Sequence, residues 1–473
     1  MKNVADIYPL TPTQAGILFH TLRSPEEEIY FQQISCTLEG PLDITKFKQA
    51  WDEVVKRHPP LRTIFLWEGV DEPLQVVRET VTVPWEIIDL RASTSDVQTK
   101  RLDELRLVYR TRGFDLTKAP ILHMVLVRLA DERCQFIWNF HHILTDGWST
   151  HLVFNEAFSI YEAMVHGKRI IPAPTRPFRD YIDWLQRQDT EAAERYWREQ
   201  LAGFTDPTPL LVDKPPQGNA IKHGELSLEL SSAITNSLKN IAKQNRITLN
   251  TVIQGAWGIL LSRYSGDRDV IFGTTLSGRP ADLRGVENMV GMFINTLPLR
   301  VNVTDDDQLL PWLQQLQDQQ LQIRQYEYSS LVKVQRWSDV PPGQALFDTI
   351  VVFENYPVNE FNKRSLEIEN IHYREQSNYP LALLVLPGEQ LRLLVIYDQS
   401  RFDADTIEMM LGHLKNLLSA IASNADQRLG DMTLLSAAEH QQIVFDWNDT
   451  DTPLGQPVWV HEQIAEVARQ TPH

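Results

Sequence analysis

Two adjacent histidines, His141 and His142, close a run of apolar and aromatic residues that begins Phe136-Ile137-Trp138-Asn139-Phe140, and Asp146 and Gly147 follow at the spacing His-His-x-x-x-Asp-Gly. An imidazole is the side chain whose ordinary pKa lies nearest neutrality, so one that is held rigidly is suited to taking or giving a proton during a reaction. The run reads as a buried strand that delivers the imidazoles into a turn. Ser149 is the expected N-cap of the helix that follows, whose apolar residues Leu152, Val153, Phe154, Ala157, Phe158 and Tyr161 recur at helical spacing. On a strand, successive side chains point to opposite faces, so His141 and His142 are expected to part, one toward a site and one toward a core.

The elements around this segment alternate between strand and helix. Thr11 caps an expected helix from Pro12 to Leu22, a strand follows at 29–38, and 43–57 is amphipathic, with Phe47, Ala50, Trp51, Val54 and Val55 on one face. Strand-like segments follow at 61–66, 74–77 and 81–88, then a charged helix at 97–112. The strands 121–129 and 134–140 are separated by a connection short enough for a hairpin. Pro172, Pro174 and Pro177 interrupt the pattern and mark a lobe boundary. Beyond it we expect a long helix from Phe178 to about Leu201, a Pro-rich excursion through Pro207, Pro209, Pro215 and Pro216, and then strand, helix, helix and strand up to 275. Further strands lie near 347–353 and 381–397, and a closing helix spans 404–422. No residue-level repeat is visible.

The chain has 473 residues, of which 42% are hydrophobic and 23% charged, a balance that lets it bury more than one core. Acidic residues outnumber basic ones by 62 to 45, which argues against a nucleic-acid partner because phosphates would be repelled. Cys36 and Cys134 both fall in expected strands, so neither a disulfide framework nor a cysteine metal site is supported. The histidines His20, His123, His151, His166 and His223 show no metal-ligand spacing, and we expect no metal. The start of the sequence lacks the apolar core of a signal peptide and no run of membrane-spanning length appears, so a cytoplasmic location and no membrane partner are expected.

Further motifs carry a resemblance. Tyr8-Pro9-Leu10-Thr11-Pro12-Thr13-Gln14-Ala15-Gly16-Ile17-Leu18-Phe19-His20, Arg57-His58-Pro59-Pro60-Leu61-Arg62, Phe114-Asp115-Leu116, Phe178-Arg179-Asp180-Tyr181, Ser277-Gly278-Arg279-Pro280 and Val290-Gly291-Met292-Phe293-Ile294-Asn295-Thr296-Leu297-Pro298 occur in this order with the His-His-x-x-x-Asp-Gly core. Together they resemble the condensation domains of nonribosomal peptide synthetases over about the first 430 residues. Tyr326-Glu327-Tyr328-Ser329 departs from the family's sixth motif, and Ala345-Leu346-Phe347-Asp348 keeps part of the seventh. The end of the chain, 460–472, resembles the start of an adenylation domain.

The resemblance implies a mixed α/β fold of two chloramphenicol-acetyltransferase-like lobes, a V-shaped pseudo-dimer with a central tunnel. The lobes are expected at 1–175 and 176–435, a linker at 436–455 and the truncated adenylation start at 456–473. It also implies peptide-bond formation between a donor thioester and the amine of an acceptor thioester, both carried on the 4'-phosphopantetheine arms of peptidyl carrier proteins, with an adenylation domain in cis. No cofactor is expected on the domain itself, and the excised piece is expected to be monomeric.

His142 is assigned the base or positioning role, with the Gly147 amide as a donor to the reacting carbonyl. His141, Asp146 and Arg279 are assigned structural roles, Asp146 and Arg279 as a buried pair. Trp148, Ser149 and Asn295 are expected to line the substrate path. Arg57, His58 and Arg62 are read as charge placement at a helix end. Three rivals remain: an epimerisation domain using the same histidine, a free-standing acyltransferase with a soluble donor, and a non-catalytic recruiting module. The opening motif and 178–189 look closest to the class that takes a D-configured donor.

Overall fold

The computed structural model describes residues 3–24, 29–168, 174–210, 212, 214, 223–354, 365–374, 378–450 and 459–471. Pro172, Pro215 and Pro216, which mark the boundary and the loop in the sequence, lie outside the described residues.

Two mixed sheets organise residues 1–432, which form one compact unit. The first has five strands in the order Glu367–Arg374, Phe31–Glu39, Arg133–His141, Leu122–Ala130 and Trp85–Asp89. Its centre is the expected hairpin, which closes where Ala130 faces Arg133. Phe31 is paired with His141, so the histidines stand at one end of a central strand. The helices Ile44–Arg57 and Gly147–Val165 cover one face. Phe47, Ala50, Trp51, Val54 and Val55 are buried there against Phe136, Trp138, Phe154 and Phe158, as the 3.6-residue period requires. The helix Ser95–Arg112 covers the other face with Leu102, Leu105 and Tyr109.

The second sheet runs in the order Asn295–Asn302, Asp269–Leu276, Thr349–Phe353, Leu381–Leu386, Arg392–Asp398 and His223–Glu229. Leu249–Ser265, apolar on nearly every side, is buried as a core helix beside it. Ser232–Gln244 and Ala404–Ser423 pack with that helix. A small third sheet joins Asp6–Pro9, Leu74–Val77 and Thr63–Leu66.

The halves of the chain are interleaved. The strand Glu367–Arg374, from the second half, completes the edge of the first sheet by pairing with Phe31–Glu39. Leu366 is buried in the first core, and Ser365 donates its N–H and its hydroxyl to Glu162, each at 2.6 Å.

Three expectations need correction. The single helix foreseen from 178 to 201 is two, Arg179–Leu185 and Thr190–Gln200, because Asp189 caps the second by accepting from the Ala192 N–H at 2.9 Å. The strand foreseen at 61–66 begins as the 3-10 turn Pro59–Arg62, since neither proline has an N–H to give a ladder. The strand foreseen at 81–88 is only Trp85–Asp89 and starts after Pro84.

Residues 433–473 form a separate unit. It holds the helix Ala437–Val444, started by a Ser436/Glu439 capping box, and the helix Val460–Gln470. Neither helix buries any residue.

Candidate active site

The end of the strand Arg133–His141 turns sharply into the helix Gly147–Val165, and backbone contacts fix that turn. The His142 N–H donates to the Tyr30 carbonyl at 2.8 Å, and Gln14 donates to the Ile143 carbonyl at 3.0 Å. Tyr30 itself sits in the left-handed region, at φ 64°, a conformation a non-glycine residue adopts only where its surroundings impose it.

The two histidines have opposite tautomers. His142 Nδ1 lies 2.8 Å from the Thr145 carbonyl, which can only accept, so Nδ1 carries the proton and Nε2 is the basic nitrogen. His141 Nδ1 accepts from the Ile143 N–H at 3.2 Å, which puts its proton on Nε2, facing the Thr21 hydroxyl at 3.4 Å. Burial, with a smaller contribution from neighbouring His142, pushes His141 down to about 3, so it is neutral at any ordinary pH. The side chains of both are nearly enclosed; His142 retains 6% exposure.

Asp146 is the N-cap of the helix, a correction to the expectation that Ser149 fills that place. Its carboxylate accepts from the Ser149 N–H at 2.7 Å and from the Phe293 N–H at 3.1 Å, and Arg279 approaches at 3.4 Å. All three residues of this cluster, Asp146, Ser149 and Arg279, are buried. Burial pushes the Arg279 guanidinium below its ordinary value, opposed by the adjacent Asp146. Arg279 also donates to the Met289 carbonyl at 2.9 Å, to the Val286 carbonyl and to Ser149 Oγ at 2.8 Å, and it lies over the Phe293 ring at 4.0 Å.

The Ser149 hydroxyl donates to the Gly291 carbonyl at 2.8 Å and accepts from the Gly291 N–H at 3.0 Å. With Arg279 as a second donor its hydrogen-bonding capacity is filled, so it is a structural clamp and not the substrate contact expected. Asn295 is held from both sides. Its amide donates to the carbonyls of Glu327 and Ser329 at 2.8 and 2.6 Å, and its oxygen accepts from Thr13 at 3.3 Å. Trp148 is half-buried and donates to the Glu287 carbonyl at 2.9 Å. Gly147 opens the helix with helical backbone, so the turn does not use a glycine's access to left-handed φ.

Arg57 and His58 stand at the end of the helix Ile44–Arg57, as the helix-end reading expects, and they also meet Glu156 of the helix Gly147–Val165 at 3.0 and 2.6 Å, a clamp between two helices. Arg62 donates to backbone carbonyls of Arg78 and Glu79. Among the described residues, no group of three or more His, Cys, Asp or Glu could hold a metal ion, and no helix is long and apolar enough to cross a membrane.

Sequence reasoning missed Gln14, Tyr30, Thr145 and Glu327. Gln14 had a signal, because a capping-box glutamine three residues after Thr11 is fixed in space and its amide is then available to a neighbour.

The sequence profile of the family described as the condensation domain matches residues 4–444. One of the linear gramicidin synthase proteins of Brevibacillus parabrevis is 43% identical over 477 residues, covering 100% of this chain and 6% of that protein. Surfactin synthase subunit 3 of Bacillus subtilis (strain 168) is 34% identical over 464 residues, 97% of this chain and 36% of that protein. The chain therefore spans a small part of these relatives. Among solved structures, a variant of the starter condensation domain of rhizomide synthetase in complex with C8-CoA superposes with a TM-score of 0.79 at 20% identity, over 91% of this chain and 98% of that one. A four-domain nonribosomal peptide synthetase bound to AMP and glycine superposes with a TM-score of 0.78 at 18% identity, over 92% of this chain and 34% of that one. The mixed α/β fold is thus that of two chloramphenicol-acetyltransferase-like lobes.

Proposed function

Since the chain belongs to the condensation-domain family of nonribosomal peptide synthetases, whose members form amides by acyl transfer, we propose that it joins a donor aminoacyl or peptidyl thioester to the amine of an acceptor aminoacyl thioester. Both reactants ride on the phosphopantetheine arms of carrier proteins, donor upstream and acceptor downstream, and reach His142 from opposite ends of a tunnel between the lobes. Residues 1–175 and 176–435 are then the lobes, 436–455 the linker, and 456–473 the start of an adenylation domain in cis. The setting is cytoplasmic, without nucleic acid or membrane.

The observation that carries this reading is the His142 tautomer. The donor is already activated as a thioester, so the chemical need is to take a proton from an amine. An α-amino group has a pKa near 7.7–8.0 and is substantially protonated at neutral pH. With Nδ1 occupied by Thr145, Nε2 is the nitrogen that accepts the amine proton or orients the amine. As the C–N bond forms, charge gathers on the thioester oxygen, toward which the Gly147 amide is directed. The carbonyl then re-forms, the C–S bond breaks, and the donor's pantetheine thiol leaves. Trp148, at the mouth of the helix, faces the acceptor.

The D-donor class is the subtype we assign, on the motifs at 8–20 and 178–189. The test is to load donor and acceptor carriers with defined D- and L-aminoacyl groups and look for acceptor-bound dipeptide by intact mass. His142→Ala should lower the rate about 100-fold or more, within the range of general acid–base catalysis. Undiminished product would remove His142 from the mechanism. Epimerised but uncondensed donor would replace condensation by epimerisation.

A further inference from the structure

Tyr326-Glu327-Tyr328-Ser329, the departure from the sixth family motif, places a carboxyl group in the interior behind Arg279. Glu327 is 6% exposed, and its Oε2 has no hydrogen-bond partner among the described residues. Its carboxyl group accepts from the backbone N–H of Gly278, the residue before Arg279. Its own carbonyl holds the Asn295 amide at 2.8 Å. Gly278 has φ 62°, and a Cβ there would fall 1.8 Å from the Phe293 carbonyl oxygen, so the loop tip fits one position only.

We propose that Glu327 is a positioning residue for the condensation reaction, tying the Ser277–Pro280 loop, and through Arg279 the Asp146 turn that carries His142, to the end of the helix Leu309–Gln325. The inference rests on the function proposed above. The contacts run without a gap: Glu327 to Gly278, Arg279 to Asp146 and Ser149, and Asp146 and Ser149 to the turn itself.

The group works in its uncharged form. Burial pushes Glu327 up to about 7; Arg324 and the Gly278 N–H oppose the rise and Asp282 adds to it. From the helix Arg179–Leu185 Tyr181 lies within electrostatic reach, its hydroxyl raised chiefly by burial and further by Glu327, and it therefore offers no charge. Above about pH 7 an ionised Oε2 needs a donor that none of the described residues gives it as placed, and the loop must shift to admit one.

The test compares wild type, Glu327→Gln and Glu327→Ala for dipeptide formation on loaded carriers from pH 6.5 to 9. The glutamine keeps the acceptor for Gly278, supplies a donor on the other atom and does not titrate. Ionisation of the substrate amine cancels in the ratio of the Glu327→Gln rate to the wild-type rate. That ratio should stay near one at the acid end and rise by up to about tenfold per pH unit above 7, the signature of losing one proton. Glu327→Ala should be slower throughout, and the wild type should lose melting temperature relative to Glu327→Gln as the pH rises from about 4.5 to 7, between the unfolded and folded pKa values of Glu327. A flat ratio in protein that makes dipeptide, or wild-type rates in Glu327→Ala, would overturn the proposal. Wild type that makes no dipeptide would overturn the function instead, and a melting difference independent of pH would still sink the role given to Glu327.

Discussion

The two flanks of the site are built on the same economy and opposite chemistry. On one side the turn 141–149 follows a central strand of the first sheet. On the other the segment 277–295 follows the strand Asp269–Leu276 of the second. Each buries an ionisable side chain in its neutral form, His141 in the first and Glu327 in the second. The first flank also presents His142, whereas the second offers only contacts that hold the first in place: Arg279, the Gly291 backbone and the Phe293 N–H. On the function proposed above, the two flanks divide labour between reaction and support.

That division is broken most severely at Asp146, which both flanks share. Asp146→Ala leaves Arg279 buried without its anion, and removing one partner of a buried pair costs about 3–5 kcal/mol. We expect insoluble protein or a sharply lowered denaturation midpoint; a soluble variant with the wild-type midpoint would show that the flanks are not coupled through it.

His142→Ala should separate the flanks. A rate loss of about 100-fold corresponds to about 2.7 kcal/mol in the barrier, and the melting temperature should change far less than in Asp146→Ala. If melting and activity fell together, His142 would belong with the supporting residues.

Gly278→Ala perturbs the second flank alone. The left-handed φ costs a residue with a Cβ about 1–2 kcal/mol, and the approach to Phe293 adds to it. Both stability and dipeptide rate should drop, the second because Arg279 moves; an unaffected rate would show that support from this loop is dispensable.

The pH dependence of stability carries the smallest effect. His141 has a folded pKa far below its unfolded value of about 6.5, so the unfolded chain binds the proton first. Its contribution is complete above pH 6.5 and is lost as the pH falls from there toward 3, at up to about 1.4 kcal/mol per unit. Glu327 has the reverse sign. Its folded pKa lies above the unfolded one, so stability falls as the pH rises from about 4.5 to 7. Replacing His141 with glutamine should flatten the acid limb in chemical denaturation and leave the alkaline limb intact.

Local pattern made much of this legible. The strand into His141, the hairpin behind it and the apolar face of Phe47, Trp51 and Val54 follow from period-2 and period-3.6 spacing, which depends only on near neighbours. The pairing of Asp146 with Arg279 came from the resemblance, because no spacing rule links residues so far apart. Ser149 was misread for a related reason. A polar side chain beside a reactive group looks like a substrate contact until the partners that saturate it, the Gly291 backbone and Arg279, are in place. Glu327 was passed over because a glutamate in a sequence is expected at the surface, and only tertiary packing shows it enclosed.

The strand Glu367–Arg374 sets terms for anyone who recombines such genes. A fragment that stops short of it leaves Phe31–Glu39 as an open edge, with unpaired amides and carbonyls ready to template a neighbouring molecule. A graft that brings a foreign second half supplies its own version of that strand, and main-chain pairing tolerates the exchange of side chains. The seam that must then be matched by hand is the small contact of Ser365 with Glu162 and the seat of Leu366, where identity and not backbone decides the fit.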